Sequence, residues 1–271
     1  MAMGKIHKIA LSAEKTVCYA AIVLMALLPV LEVFLRPFNL GIPFSRGFMV
    51  RLFLVTGLFA AMQSTRSKEH IAIAIVQFSK SEGLKSVLAS ISSLISALMA
   101  ARLFWDSLSF LRYSMGGRTV GPIPEIIFAL ALPIAYGVMA LRFAFFSAEG
   151  FNGRFLKIAL PPLVLVLGSI IALPAITKLI WGFDPPEPFF SWVNSLYDIA
   201  FHAKIPLIFF FVAAALGGTP IFIAIGGIAL VLLQAAGNEP EVVPIQVFSA
   251  LTGQDLIAIP LFTLKIGRAH V

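Results

Sequence analysis

Residues 16–35 read TVCYAAIVLMALLPVLEVFL, an apolar run whose only formal charge is Glu32. About 20 such residues is the length at which an α-helix rising 1.5 Å per residue crosses a hydrocarbon core roughly 30 Å thick. The run is longer than a signal-peptide core and no small-residue cleavage site follows it, so a retained membrane helix is expected. Cys18, the only cysteine, sits inside this run as a small apolar residue, so neither a disulfide framework nor a cysteine metal site can form within one chain.

The rest of the chain repeats the pattern. Of 271 residues, 59% are hydrophobic and 12% charged, with a mean hydropathy of +0.97. A soluble domain carries roughly 25% charged residues and has no core large enough to hide this much apolar surface. Apolar runs at 16–35, 48–64, 87–110, 123–147, 155–181 and 205–236 predict an all-α integral membrane protein of about six transmembrane helices. The last run is too long for one simple crossing and carries Gly217, Gly218 and Pro220 at its middle, so a kinked or tilted helix is expected there. A final piece, 242–264, contains Pro244, Gly253 and Pro260 and reads as a partial re-entrant or broken segment.

The formal charge of +7 does not point to nucleic acid, because the bases lie between apolar runs rather than on one face. Lys5, Lys8, Lys15, Arg66, Lys68, Lys80, Lys85, Arg154 and Lys157 fall on the amino-terminal side of the expected topology. The other side holds fewer: Arg36, Arg46, Arg51, Arg112, Arg118 and Lys204, with Asp184, Glu187 and Asp198 in its last loop. This bias favours a cytoplasmic amino terminus, although the loop 238–241, expected on the same side, has two acids and no base. The stretch Asp184-Pro185-Pro186-Glu187-Pro188 cannot continue a helix and reads as a linker, flanked by Trp181 and Trp192 at headgroup level.

Few constellations carry chemistry. Glu32 and Arg36 stand four apart in the order that favours an i,i+4 pair, which reads first as an interfacial ion pair fixing helix depth. The segment 63–85 brings Ile71, Ile75 and Phe78 to one helical face and could lie flat on the membrane. His70 within it has no second histidine or carboxylate pattern of metal type nearby and reads as a headgroup-boundary residue. The Gly- and Pro-rich stretch from Gly116 to Pro124 lacks nucleotide-binding spacing and reads as a turn. No Ser-His-acid set and no HExxH motif appears, so the chain is expected not to be an enzyme and to need no bound cofactor or metal. Gly217, Gly218, Gly226 and Gly227 permit close helix packing, or, as the competing reading, a broken helix aimed at a transported ion or substrate.

Two parts of the sequence resemble a known family. Glu32-Val-Phe-Leu-Arg36, and the later run from Gly57 through Ala-Ala-Met-Gln-Ser-Thr-Arg-Ser-Lys-Glu to His70 and Ile71, resemble the small membrane subunit of tripartite ATP-independent periplasmic (TRAP) transporters. Leu216-Gly-Gly-Thr-Pro220 through Gly226, then Leu256-Ile-Ala-Ile-Pro260-Leu-Phe262, are similar to the start of the large TRAP subunit. The resemblance implies four divisions: a four-helix small-subunit-like domain over 1–150, a connector helix and Pro-rich loop over 151–204, the start of a large-permease-like domain over 205–264, and a tail, 265–271. Ile266-Gly-Arg-Ala-His-Val271 resembles translated read-through of a sequencing adapter, and the reading frame is expected to be cut near Leu264.

What the resemblance implies for function is import of organic acids such as C4-dicarboxylates, driven by a sodium gradient, through the bacterial inner membrane. The implied partners are a periplasmic substrate-binding protein, the remainder of the large permease subunit and membrane lipids. Glu32, Arg36, His70, Pro220 and Pro260 are family-motif positions with structural roles, while substrate and sodium ligands are expected beyond Leu264. A non-transport membrane scaffold that organises partner subunits stays open as the alternative, consistent with an absence of buried charge inside most spans.

Overall fold

The computed structural model describes residues 2–67, 82–150, 153–182 and 184–253. The elements are α1 (Ala2–Leu35), a 3-10 turn at Arg36–Phe38, α2 (Ser45–Ser67), α3 (Glu82–Ser114), β1 (Thr119–Val120), β2 (Ile123–Pro124), α4 (Ile126–Ala129), α5 (Ala131–Ser147), α6 (Arg154–Ile171), α7 (Leu173–Trp181), α8 (Phe189–Leu216), α9 (Ile221–Ala235) and α10 (Val242–Leu251). Helices long and apolar enough to cross a membrane cover Leu11–Phe38, Ser45–Arg66, Lys85–Ser114, Ile126–Ser147 and Phe189–Leu216. The pair Phe155–Ile171 and Leu173–Trp181, bent by 69° at Ala172, is apolar enough to make a sixth as one broken span, or else a re-entrant loop. The chain is an all-α integral membrane protein, as the hydropathy pattern requires.

Among the described residues, the chain divides into two compact units. The first takes residues up to Gln63, Met115–Ala131 and those from Ile245 onward. Along α2, Val50, Leu54, Leu58 and Met62 recur every fourth residue and are all buried, the stripe that a helix with one packed face produces. A short ribbon pairs Val120 with Ile123 around Gly121, whose φ of +59° suits a residue without a Cβ. The ribbon lies against the first turn of α2, where a Cβ on Gly47 would stand 2.9 Å from the Val120 side chain. Phe48 and Phe128 meet edge to face beside it, with ring centroids 6.2 Å apart.

The second unit holds Ser64–Ser114 and Leu132–Pro244. Its centre is Ile95 of α3 with Phe211 of α8 and Ile223 of α9, surrounded by Met99, Ala214, Ile228 and Val231. Small residues bring the helices close: a Cβ on Gly137 of α5 would sit 3.1 Å from the Phe104 ring, and one on Gly168 of α6 would sit 2.6 Å from the Ala101 Cβ. Gly227 meets the Phe211 ring in the same way, so the packing reading of that glycine holds, whereas Gly226 faces open space.

One span differs from expectation. Residues 205–236 do not form a single kinked helix; α8 starts as early as Phe189, right after the proline stretch, and α9 returns beside it. Gly218 at φ +103° ends α8 in a conformation that favours glycine, and Pro220, without an N–H, opens α9. The two helices run antiparallel: Gly227 lies against Phe211, the Gln234 amide donates to the Leu196 carbonyl at 3.3 Å, and the Tyr197 hydroxyl donates to the Asn238 carbonyl at 3.2 Å. Asp198 and Lys204 therefore lie on α8 rather than in a loop, and the division expected at 204 falls inside one helix. The fourth span also begins later than expected, at Ile126, because Ile123 and Pro124 belong to the ribbon.

Candidate functional site

Polar side chains on α3 recur at the spacing of one helical face: Arg102, Trp105, Asp106, Ser109, Arg112 and Tyr113. Eleven residues of α-helix place the ends of this ladder roughly 16 Å apart along the axis. At its inner end Arg102 and Asp106 are buried, and the Arg102 Nε donates to both Asp106 oxygens, at 3.0 and 2.8 Å. The Arg102 Nη1 donates to the carbonyl of Ile171, the last residue of α6. One turn on, the Trp105 Nε1 donates to the Ser169 hydroxyl at 2.9 Å.

At the outer end the ladder receives α7. The Tyr113 hydroxyl donates at 2.6 Å to the Lys178 carbonyl, which also accepts from the Gly182 N–H at 2.9 Å, and the Arg112 Nη1 donates to the Leu179 carbonyl in the last turn of the helix. The Lys178 Nζ donates to Glu241 at 2.5 Å and to Glu239 at 2.9 Å. Glu241 is buried and its second oxygen accepts from the Ser109 hydroxyl at 3.3 Å, whereas the Glu239 side chain is 57% exposed. Both carboxylates precede α10, where the positive end of the helix dipole favours them. The bridge places the loop 238–241 beside the end of α7, on the side of the 184–188 linker. The expected placement of that loop on the opposite side is thereby corrected, because α9 adds a return crossing that the single-helix reading of 205–236 lacked.

Beside this cluster, Asn194, Tyr197, Asp198, Phe201, Gln234 and Glu239 line an open cleft of about 430 Å3. The Lys204 ammonium stands over the Phe201 ring, 4.2 Å from its centroid. Among the described residues, no three His, Cys, Asp or Glu side chains stand together as a metal site would need.

The first unit has its own ion pair. The Arg51 Nε and Nη2 both donate to Glu125, the former at 2.9 Å, joining α2 to the residue that caps α4. Glu32 accepts from the Ser45 hydroxyl at 3.0 Å, at the start of α2. Among the described residues Glu32 forms no ion pair with Arg36, because α1 ends at Leu35 and Arg36 opens a 3-10 turn, out of α-helical register. Pro220 stands at the α8–α9 turn, while His70, Pro260, Leu264 and the tail 265–271 lie outside the described residues.

The ladder itself was missed by sequence reasoning, which took the spans as largely free of buried charge. Arg102 and Asp106 contradict that: both lie within the third span, and the i,i+4 pairing neutralises them where lone charges would be costly. The i, i+3, i+4, i+7 recurrence of polar residues on an otherwise apolar helix was the signal available. Arg102 and Arg112 each donate to a backbone carbonyl of α6 or α7, and Asp106 accepts from Arg102, so the ladder ties α3 to those two helices.

These features define a multi-span helical membrane protein with a packed, ion-paired framework. Residues 25–152 match the family model described as "Tripartite ATP-independent periplasmic transporters, DctQ component", so this stretch is similar to the small membrane component of a TRAP transporter. Neither a curated protein nor a solved structure gives a significant match to this chain.

Proposed function

We propose that the chain serves secondary active import of organic acids, with a sodium gradient as the driving force and a periplasmic binding protein delivering the substrate. The observation that carries this reading is the family match over residues 25–152, a stretch that the spans Leu11–Phe38, Ser45–Arg66, Lys85–Ser114 and Ile126–Ser147 overlap or lie within. In this reading those helices form the fixed frame, Glu32 and Arg36 act structurally, and the bent α6–α7 span connects the frame to a large-permease-like segment that begins with α8 and α9. Pro220, His70 and Pro260 are structural positions of the same design. Sodium and substrate ligands belong to the large permease subunit, and the amino terminus faces the cytoplasm of a bacterial inner membrane.

The packing supports a static role. Side-chain hydrogen bonds and close glycine contacts tie α3 to α5, α6 and α7, and a frame of that kind gives a moving partner something to move against. Proteoliposomes containing this chain, a large TRAP subunit and a TRAP binding protein test the reading. Uptake of labelled C4-dicarboxylate or sialic acid that needs all three proteins and an inward sodium gradient supports it. Uptake unaffected by leaving this chain out, or equal without sodium, would sink it.

A further inference from the structure

The 69° bend between α6 and α7 is sharper than a proline alone requires, since membrane helices commonly continue through proline with a modest kink. Pro161 and Pro162 lie inside α6 and leave it continuous. At the bend, Pro174 has no N–H to give, and the amides of Ala175 and Ile176 both turn to the Ala172 carbonyl, at 2.9 and 3.0 Å. The Ile171 carbonyl thereby loses the partner four residues on that a continuous helix would supply. A bare carbonyl at membrane depth is costly. Arg102 fills it, and Asp106 holds the guanidinium in the orientation that reaches it.

We propose that the Arg102–Asp106 pair is a conformational lock that selects the bent form of the α6–α7 span over a straighter, continuous one. The ladder on α3 is a template for the bent shape alone. Trp105 grips α6 through Ser169, Arg112 and Tyr113 grip α7 through its terminal carbonyls, and Arg102 stands at the corner between them. The lock also decides where Lys178 sits. Swinging α7 through 69° about Ala172 would move Lys178 by about 10 Å, far outside reach of Glu241 and Glu239. The bend is therefore the condition for tying down the loop that leads into α10. This inference rests on the geometry of one unit and holds whether or not the transport reading does.

Distance measurement between spin labels on the whole chain in lipid nanodiscs tests it. Labels go at Ile158→Cys on α6 and Ile180→Cys on α7, both exposed positions, in a Cys18→Ser background that removes the one native thiol. The bent span sets these backbones about 28 Å apart, and a straight one about 33 Å. The primary variant is Arg102→Met with Asp106→Leu, which removes both charges together and so leaves no buried charge unpaired. The expected result is a distance distribution shifted about 5 Å outward. A distribution unchanged from the parent overturns the lock. Should that variant fail to insert, Arg102→Lys keeps the charge on Asp106 but lacks the fork that reaches Ile171 at the same time; it is expected to lengthen the distance too, and an unchanged distance there overturns the proposal equally. Pro174→Ala supplies the converse: the parent distance is expected to persist while Arg102 is present, and a straightened span would assign the bend to the proline instead.

Discussion

Replacing Lys178 with methionine tests whether the cluster at the end of α7 is a stabilising bridge or a surface contact. Lys178 is bonded to Glu241 at 2.5 Å and Glu239 at 2.9 Å, with side-chain exposures of 7% for the lysine, 8% for Glu241 and 57% for Glu239. Removing the lysine leaves the buried Glu241 carboxylate, among the described residues, with the Ser109 hydroxyl at 3.3 Å as its remaining hydrogen-bond partner. Breaking one side of a buried pair costs about 3–5 kcal/mol. The exposed arm to Glu239 contributes no more than about 1 kcal/mol, because water screens it. Lys178→Met is therefore expected to destabilise the second unit by about 3 kcal/mol or more, Glu239→Gln by under about 1 kcal/mol, and Glu241→Gln by an amount near that of the lysine variant. The double variant Lys178→Met/Glu241→Leu removes both buried charges and is expected to recover most of the loss. Unfolding by SDS titration in mixed micelles, followed by the fluorescence of the native tryptophans, reads all four. A lysine variant indistinguishable from the parent, or a double variant as unstable as the two single losses added, would refute the reasoning.

Gly168→Ala should force α6 away from α3, since its Cβ would stand 2.6 Å from the Ala101 Cβ and 3.1 Å from the Leu98 carbonyl; a loss of about 1–3 kcal/mol is expected in the same titration, with rescue by Ala101→Gly. Glu125→Gln should weaken the first unit by about 1–3 kcal/mol, because Arg51 then donates to a neutral acceptor, and the midpoint of thermal aggregation should fall. Single cysteines at positions 186 and 239, in the Cys18→Ser background, should react with an impermeant maleimide from the same face of sealed vesicles; labelling from opposite faces would contradict the α8–α9 hairpin.

Much of the architecture was legible in local sequence. The first three spans lie close to where their apolar runs lie, and the Pro-rich stretch ends where α8 begins, because both signals depend on neighbours within a turn or two. Gly218 and Pro220 were visible as a break, but whether the chain kinks or reverses depends on what α9 packs against: Phe211 and Ile95, the latter more than a hundred residues away. The Glu32–Arg36 pair illustrates the reverse error. Its spacing assumes that the helix continues through Arg36, and the turn after Leu35 withdraws that assumption.

By itself, then, the sequence determined that this protein lives in a membrane and where most of its apolar runs lie, and residues within its first half resemble a TRAP small subunit. Hydropathy over about 20 residues is a local sum, independent of partners. Only the tertiary structure decided how the charges are spent. Arg102 meets Ile171 across 69 positions, Lys178 meets Glu241 across 63, and Ser109 meets the same carboxylate across 132. In lipid, a charge or a bare carbonyl must find its partner inside the protein, and that partner is set by the packing of α3 against the bent span, which no local window contains.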